Sequence, residues 1–297
     1  KAILKKFDLT EDTGYRQLMP ITKKFVDGIK KLKHNYPNCL EFLNYVDQFA
    51  ALSLCRANTM KMNFPPVLLA GAPGIGKTAI VREVAKLLNV PCRQLDMAAV
   101  TSSFVISGMS SAWSEAKAGF IVDLLRDGYA ANPIVILDEL DKVTGDSKYD
   151  PLGGLYTLLE QDTAESFVDE ALDMPIDASH IMYVATANDL NAIPGPILSR
   201  FLVINIHEVK GSHHRTVTQS IYSSLLKQEK MERAFVEKLE DDVFESLESY
   251  APREVKRLLL RAMANAAYRK QHNFAVKITI DDLILSQTEN KKIGFIW

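Results

Sequence analysis

In the stretch Pro66-Val-Leu-Leu-Ala-Gly71-Ala-Pro-Gly-Ile-Gly-Lys77-Thr78, a short aliphatic run breaks into glycines. An apolar helical pattern, Thr78–Leu88, begins at once after it. The eight residues from Gly71 fit G-x4-G-K-[ST] with no position missing, in the strand–loop–helix setting this motif requires. Glycines let successive backbone N–H groups turn inward around phosphate oxygens, and the helix N-terminus adds a positive dipole. Lys77 is then placed to reach β- and γ-phosphates, and the Thr78 hydroxyl to ligate Mg2+. Gly71, Ala72, Pro73, Gly74, Ile75, Gly76, Lys77, Thr78 and Ala79 are the candidates for cradling a nucleotide. The other reading, a glycine-rich turn, does not account for the Lys-Thr pair.

Outward from this stretch, further aliphatic runs bounded by Gly, Pro or Asp alternate with helical patterns. They are Val67–Ala70, Ile134–Leu137, Ile181–Ala185 and Leu202–Ile206. Near-continuous runs of this kind suit strands buried on both faces of a parallel sheet. The expected fold class is α/β, a P-loop parallel sheet with helices on both faces. Upstream, residues 38–52 place Leu40, Leu43, Val46 and Phe49 or Ala50 at helical spacing. Lys23–Lys33 carries five lysines among Phe25, Val26, Ile29 and Leu32, either a solvated helix face or a polyanion-binding one. After Gly211 the strand signals stop. Ser212–Glu229, Ala234–Leu239, Asp241–Tyr250 and Arg253–Gln271 read as helices. Lys277–Ile280 reads as a short strand, with Asp281 and Asp282 capping a last helix. The expected division is an N-terminal helical segment 1–60, an α/β domain 61–210 and a small, mostly helical lid 211–297.

Composition sets outer limits. The 297 residues are 47% hydrophobic and 24% charged, the balance of an ordinary globular chain. Thirty-five Lys+Arg against 37 Asp+Glu give a net charge of −2, which excludes a strongly basic nucleic-acid coat and an acidic tail. Cys39, Cys55 and Cys92 form no CxxC pair, so neither a disulfide framework nor a zinc knuckle is expected. A reducing, cytoplasmic setting fits them better. No apolar run approaches the roughly 18 residues of a membrane span. From Lys1 onward there is no signal-peptide pattern.

Three further features carry chemistry. Ile134-Val-Ile-Leu-Asp138-Glu139 is an aliphatic strand ending in adjacent carboxylates. Asp138 suits a Mg2+ contact through water, and Glu139 suits polarising the attacking water as general base. Read alone, such a run is also an ordinary strand end. The strand Ile181–Ala185 runs into Thr186-Ala-Asn188, where an Asn can orient water against the γ-phosphate or simply make a turn. In Pro194-Gly-Pro-Ile-Leu-Ser-Arg200-Phe201, Arg200 precedes the next strand, on the far side of the sheet from its own P-loop. Only a neighbouring copy could use it on ATP; a local surface salt bridge is the alternative.

The P-loop, the Asp-Glu strand, the Asn and the Arg, in that order, resemble an AAA+ ATPase. Within that superfamily the chain is similar to the ATPase module of Lon proteases over roughly residues 60–295. Asp138–Val143, Asp150–Glu160, Phe167–Asp177, Thr186–Asn188 and Ile193–Arg200 carry the resemblance beyond the nucleotide motifs. It implies an ATPase using ATP and Mg2+, with Asn188 as sensor 1 and Arg200 as an arginine finger acting in trans in a homo-oligomer, a hexamer. It implies Arg253 as the sensor-2 arginine, with Arg257 one turn later as runner-up, and ATP seated between sheet and lid. Trp113, in Gly108–Trp113, falls where a pore aromatic grips a translocating polypeptide. Ser114-Glu115 follow it where an aliphatic residue and Gly are usual, so Trp113 is alternatively a docking residue. The resemblance runs to Trp297 without reaching Lon's Ser-Lys peptidase, so no peptide cleavage is expected of this sequence. The leading expectation is an ATP-driven protein remodeller. The competing ones are a DNA-associated ATPase, disfavoured by the near-neutral charge, and an ATP-switched scaffold.

Overall fold

The computed structural model describes residues 15–55, 61–110, 116–144, 150–270 and 275–283. It forms two compact units, 1–208 and 209–297. In the first, strands β1 (Val67–Ala70), β2 (Cys92–Asp96), β3 (Ile134–Asp138), β6 (Met182–Ala187) and β7 (Leu202–Asn205) build one parallel sheet. Its order is β2-β3-β6-β1-β7. A separate antiparallel ribbon pairs β4 (Phe167–Asp169) with β5 (Met174–Ile176).

The runs of β1, β3 and β6 are buried from both sides, while β7, expected to be equally buried, lies at the sheet's edge and exposes Leu202; successive residues still go to opposite faces. Val67, Leu69, Ile134, Ile136, Met182, Val184 and Ile204 join a core with α1 (Lys23–Asn35), α2 (Leu40–Leu54) and α3 (Lys77–Leu88). Leu68, Ala70, Val135, Leu137, Tyr183 and Ala185 join a second core. Its helical residues come from α4 (Phe104–Ser107), α5 (Phe120–Asp127), α6 (Gly153–Leu158) and α8 (Gly195–Leu198). A four-residue α7 (Gln161–Ala164) follows α6.

Several local expectations need correction. Leu40 is exposed rather than buried; Phe42, Leu43, Val46 and Ala50 form the inner face of α2. The strand at Cys92–Asp96 and the β4–β5 ribbon carry no continuous aliphatic signal and were not expected. Ala234–Leu239 is not helical: Phe235 bridges Val276, with Val236 N–H donating to the Val276 carbonyl. That contact turns apolar residues of helical spacing into a pinned loop. Residues 277–280 form no strand; Thr279 and Asp282 make a capping box on a 3₁₀ turn, Ile280–Asp282.

The second unit has α9 (Ser212–Gln228), α10 (Asp241–Leu247) and α11 (Pro252–Lys270). Tyr222, Leu226, Val243, Leu247, Leu259 and Met263 lie at the centre of its core. Among the described residues, no helix is long and apolar enough to cross a membrane.

Candidate nucleotide site at the carboxyl edge of the sheet

β1 ends at Ala70, and the loop 71–76 folds back before α3 starts at Lys77. Three glycines make that path: Gly71 at φ +151°, Gly74 at +79° and Gly76 at +101°. A Cβ on Gly71 would stand 2.3 Å from the Ile206 carbonyl oxygen, so only glycine fits against β7's continuation. A Cβ on Gly76 would meet nothing within 4 Å, because the loop there faces open space. Asn38, ahead of α2, donates from Nδ2 to the Ile75 carbonyl at 3.1 Å and braces the loop from outside.

Lys77 is 8% exposed. Its ammonium donates to the carbonyls of Gly71 and Ala72, the latter at 2.9 Å, and to Asn188 Oδ1 at 2.8 Å. Burial pushes its pKa down, opposed by the charges of Asp141, Asp138 and Glu139. A cation held among carbonyl dipoles in this way is well placed to be drawn to an anionic ligand.

Asp138 closes β3 beside it. Thr78 donates to Asp138 Oδ1 at 3.0 Å, Thr186 donates to the same oxygen at 2.6 Å, and Gln94 donates to Oδ2 at 2.6 Å. One hydroxyl and one carboxylate within hydrogen-bond distance fit Mg2+, which takes one or two protein groups and fills its octahedron with phosphates and water. Among the described residues there is no group of three or more His, Cys, Asp or Glu fit to hold a metal alone.

Glu139 follows in the left-handed region, φ +56° and ψ +47°. Its N–H donates to Thr186 Oγ1 at 3.0 Å, which fixes the turn and leaves the Glu139 side chain exposed. Asp141 is buried; its Oδ2 accepts from the Asp189 N–H at 3.3 Å and lies 3.2 Å from Lys142 Nζ. Its Oδ1 has no partner among the described residues.

Lys77, Thr78, Asp138, Glu139 and Asn188 thus gather at one edge, where β1, β3 and β6 end. Thr186, Gln94 and Asp141 belong to the same cluster and were missed. Thr186 was legible as part of the Thr-Ala-Asn tip; Gln94 lies on the unexpected β2. Arg200 stands elsewhere. It precedes β7, whose Leu202 pairs with Val67 at the start of β1. The four residues of β1, about 13 Å of strand at about 3.3 Å each, therefore separate it from the P-loop. Its Nε lies 3.1 Å from Glu160 Oε1 and its guanidinium 5.3 Å from the Tyr156 ring centre. Arg253 and Arg257 are exposed on α11 of the second unit. Trp113 lies outside the described residues.

Residues 67–208 match the ATPase family associated with various cellular activities (AAA). The first unit carries an AAA ATPase domain. Within that class the chain resembles the ATPase module of Lon proteases. It is 29% identical over 229 residues to Lon protease of Clostridioides difficile (strain 630), covering 76% of this chain and 29% of that protein. Against Lon protease of Lachnoclostridium phytofermentans it is 33% identical over 179 residues, 60% of this chain and 20% of the relative. Against Lon protease 1 of Thermus thermophilus it is 30% identical over 190 residues, 63% and 23% of the two chains. The chain spans less than a third of the length of these relatives. A chain of the S. cerevisiae Hsp104:casein complex in its extended conformation superposes with a TM-score of 0.66 at 13% identity. That match covers 92% of this chain and 51% of the other, and shows likeness of fold.

Proposed function

We propose that this chain is a subunit of a hexameric ATP-driven ring that remodels protein clients. The observation that carries the reading is the polarity of the sheet. Lys77, Thr78, Asp138, Glu139 and Asn188 share its carboxyl edge, whereas Arg200 lies at its amino edge. An arginine there can meet ATP only on an adjacent subunit.

In this reading Lys77 exchanges its Gly71, Ala72 and Asn188 acceptors for β- and γ-phosphate oxygens. The charged ligand offsets the desolvation that lowers its pKa. Thr78 and Asp138 hold Mg2+, which supplies neutralising charge to the phosphates when bound. Glu139 accepts a proton from the attacking water, and Asn188 orients that water through its Nδ2. Arg200 of the neighbour neutralises charge growing on the γ-phosphate, and Arg253 is assigned the sensor-2 role that the resemblance implies. Client contact is assigned to Trp113, and the cytoplasm to the whole assembly, in keeping with three free thiols.

The test mixes defects. Arg200→Ala should cut turnover roughly 10³-fold, the scale of arginine fingers. Mixing it with Lys77→Ala subunits should restore part of the activity, at interfaces where intact Arg200 meets an intact P-loop. If subunits exchange and nothing returns, Arg200 does not act in trans. Stimulation of turnover by unfolded protein supports the remodeller. Stimulation by DNA would favour a nucleic-acid role, to which the exposed Lys23, Lys24, Lys30 and Lys31 of α1 would lend a surface. Stimulation by neither would favour a scaffold. Trp113→Ala should spare basal turnover and abolish protein stimulation; loss of thermal stability together with basal activity would refute the client role.

A further inference from the structure

Arg200 borders an open cleft lined on its side by Phe64, Leu158 and Ser199. Sterics alone do not fix a long side chain at such a rim; its polar contacts must. Nη1 donates to the Pro196 carbonyl one helical turn back on α8. Nε is sealed from solvent, makes no linear hydrogen bond, and has Glu160 Oε1 3.1 Å away as its ionic partner. The guanidinium lies over Tyr156, at cation–π distance. Tyr156 belongs to α6, and Glu160 joins α6 to α7. That junction is itself fastened, since the Thr163 hydroxyl donates to the carbonyls of Thr157 at 2.6 Å and Glu160 at 3.2 Å. Nη1, Nε and the π face are engaged. Nη2 has no hydrogen-bond partner among the described residues.

We propose that Glu160 and Tyr156 are positioning residues for Arg200: they hold the guanidinium so that its Nη2 edge is the one offered to a neighbouring subunit's γ-phosphate. This rests on the finger reading above. A half-exposed ion pair contributes little to stability, so the pair's worth lies in direction. A preset guanidinium loses less rotamer entropy when it meets the transition state, and its donor stands where charge develops. Glu160 acts through Arg200.

The experiment uses the assembled oligomer, with ATP turnover and nucleotide binding measured on each variant alone and on an Arg200→Ala background. Glu160→Ala should lower kcat about 10-fold with ATP affinity unchanged, the cost of a loosened catalytic group. Glu160→Gln, which keeps the shape and an oxygen beside Nε but not the charge, should lose less than Glu160→Ala, and Tyr156→Phe, which keeps the ring, nothing measurable. On the Arg200→Ala background, Glu160→Ala should change turnover no further, because its route is already cut. Wild-type turnover in Arg200→Ala would sink the finger reading and this inference with it. An inactive Arg200→Ala beside Glu160→Ala and Tyr156→Ala variants within about twofold of wild type would leave the finger standing and overturn the positioning. So would an equal loss on both backgrounds, or a matching loss of ATP affinity, since either marks a merely structural residue.

Discussion

Thr186→Val tests whether the tips of β3 and β6 act as one device. Thr186 is 2% exposed, and valine reproduces its branched shape, so no cavity follows. What disappears is one hydroxyl with two jobs: donation to Asp138 Oδ1 at 2.6 Å and acceptance from the Glu139 N–H at 3.0 Å. A hydrogen bond to a charged group contributes about 1.5–3 kcal/mol, and an N–H left unpaired costs about 1–3 kcal/mol. Asp138 keeps Thr78 and Gln94, so its share falls at the lower end. The expected loss of stability is about 2–4 kcal/mol. Turnover should suffer separately. Glu139 sits at φ +56°, a conformation that costs a non-glycine residue roughly 1–2 kcal/mol, and Thr186 is the side chain that anchors its N–H there. Released, the turn relaxes and carries the proposed base with it. If about 2 kcal/mol of the loss is orientation, kcat falls about 30-fold. Denaturant midpoints and steady-state ATP hydrolysis on one preparation check both numbers. A variant with the wild-type midpoint, turning over within about twofold of wild type, would refute the coupling.

Gly71→Ala forces a Cβ to 2.3 Å from the Ile206 carbonyl oxygen, so both stability and nucleotide binding should drop, as melting and titration with a fluorescent ATP analogue would show. Glu139→Gln removes a proton acceptor and no phosphate contact; nucleotide affinity should hold while turnover falls by about 10²-fold or more, and normal hydrolysis would remove Glu139 as the base. In the second unit, burial alone would raise the Asp282 pKa, but the Arg269 guanidinium and the Thr279 N–H and hydroxyl outweigh it and hold the carboxyl below its ordinary range. A depressed folded-state pKa stabilises above the unfolded value and is lost as pH falls through the folded one. The protection of α11 against hydrogen exchange, relative to the intrinsic rate at each pH, should therefore fall below about pH 4, and Asp282→Asn should start weaker and show a flatter acid response.

What could be read from the sequence follows from how each element is buried. β1, β3 and β6 announce themselves because strands covered on both faces need aliphatic residues at nearly every position. β2 does not: Cys92-Arg-Gln-Leu-Asp96 is the outermost strand beyond β3, half exposed, and carries the mixed composition an edge allows. Missing β2 meant missing Gln94, which reaches Asp138 across 44 residues of sequence only because β2 pairs with β3 in register. Lys77, Thr78, Asp138 and Glu139 were legible for the opposite reason. Each sits within one or two residues of a strand end or helix start whose own pattern is strong. Glu160 offered no such handle, because its partner is set by where α6 meets the start of β7. Arg200 lies between these cases. Nothing local in Ser199-Arg200-Phe201 distinguishes a finger from a surface arginine, and the structure does pair it with a surface carboxylate. Its separation from the P-loop, however, was legible once the aliphatic runs were read as strands of one parallel sheet. All parallel strands begin at one edge and end at the other, so a residue just before β7 cannot reach a loop just after β1. That constraint separates Arg200 from its own Lys77 whatever its side chain does, and it makes the mixed-subunit experiment a test of the sheet as much as of the arginine.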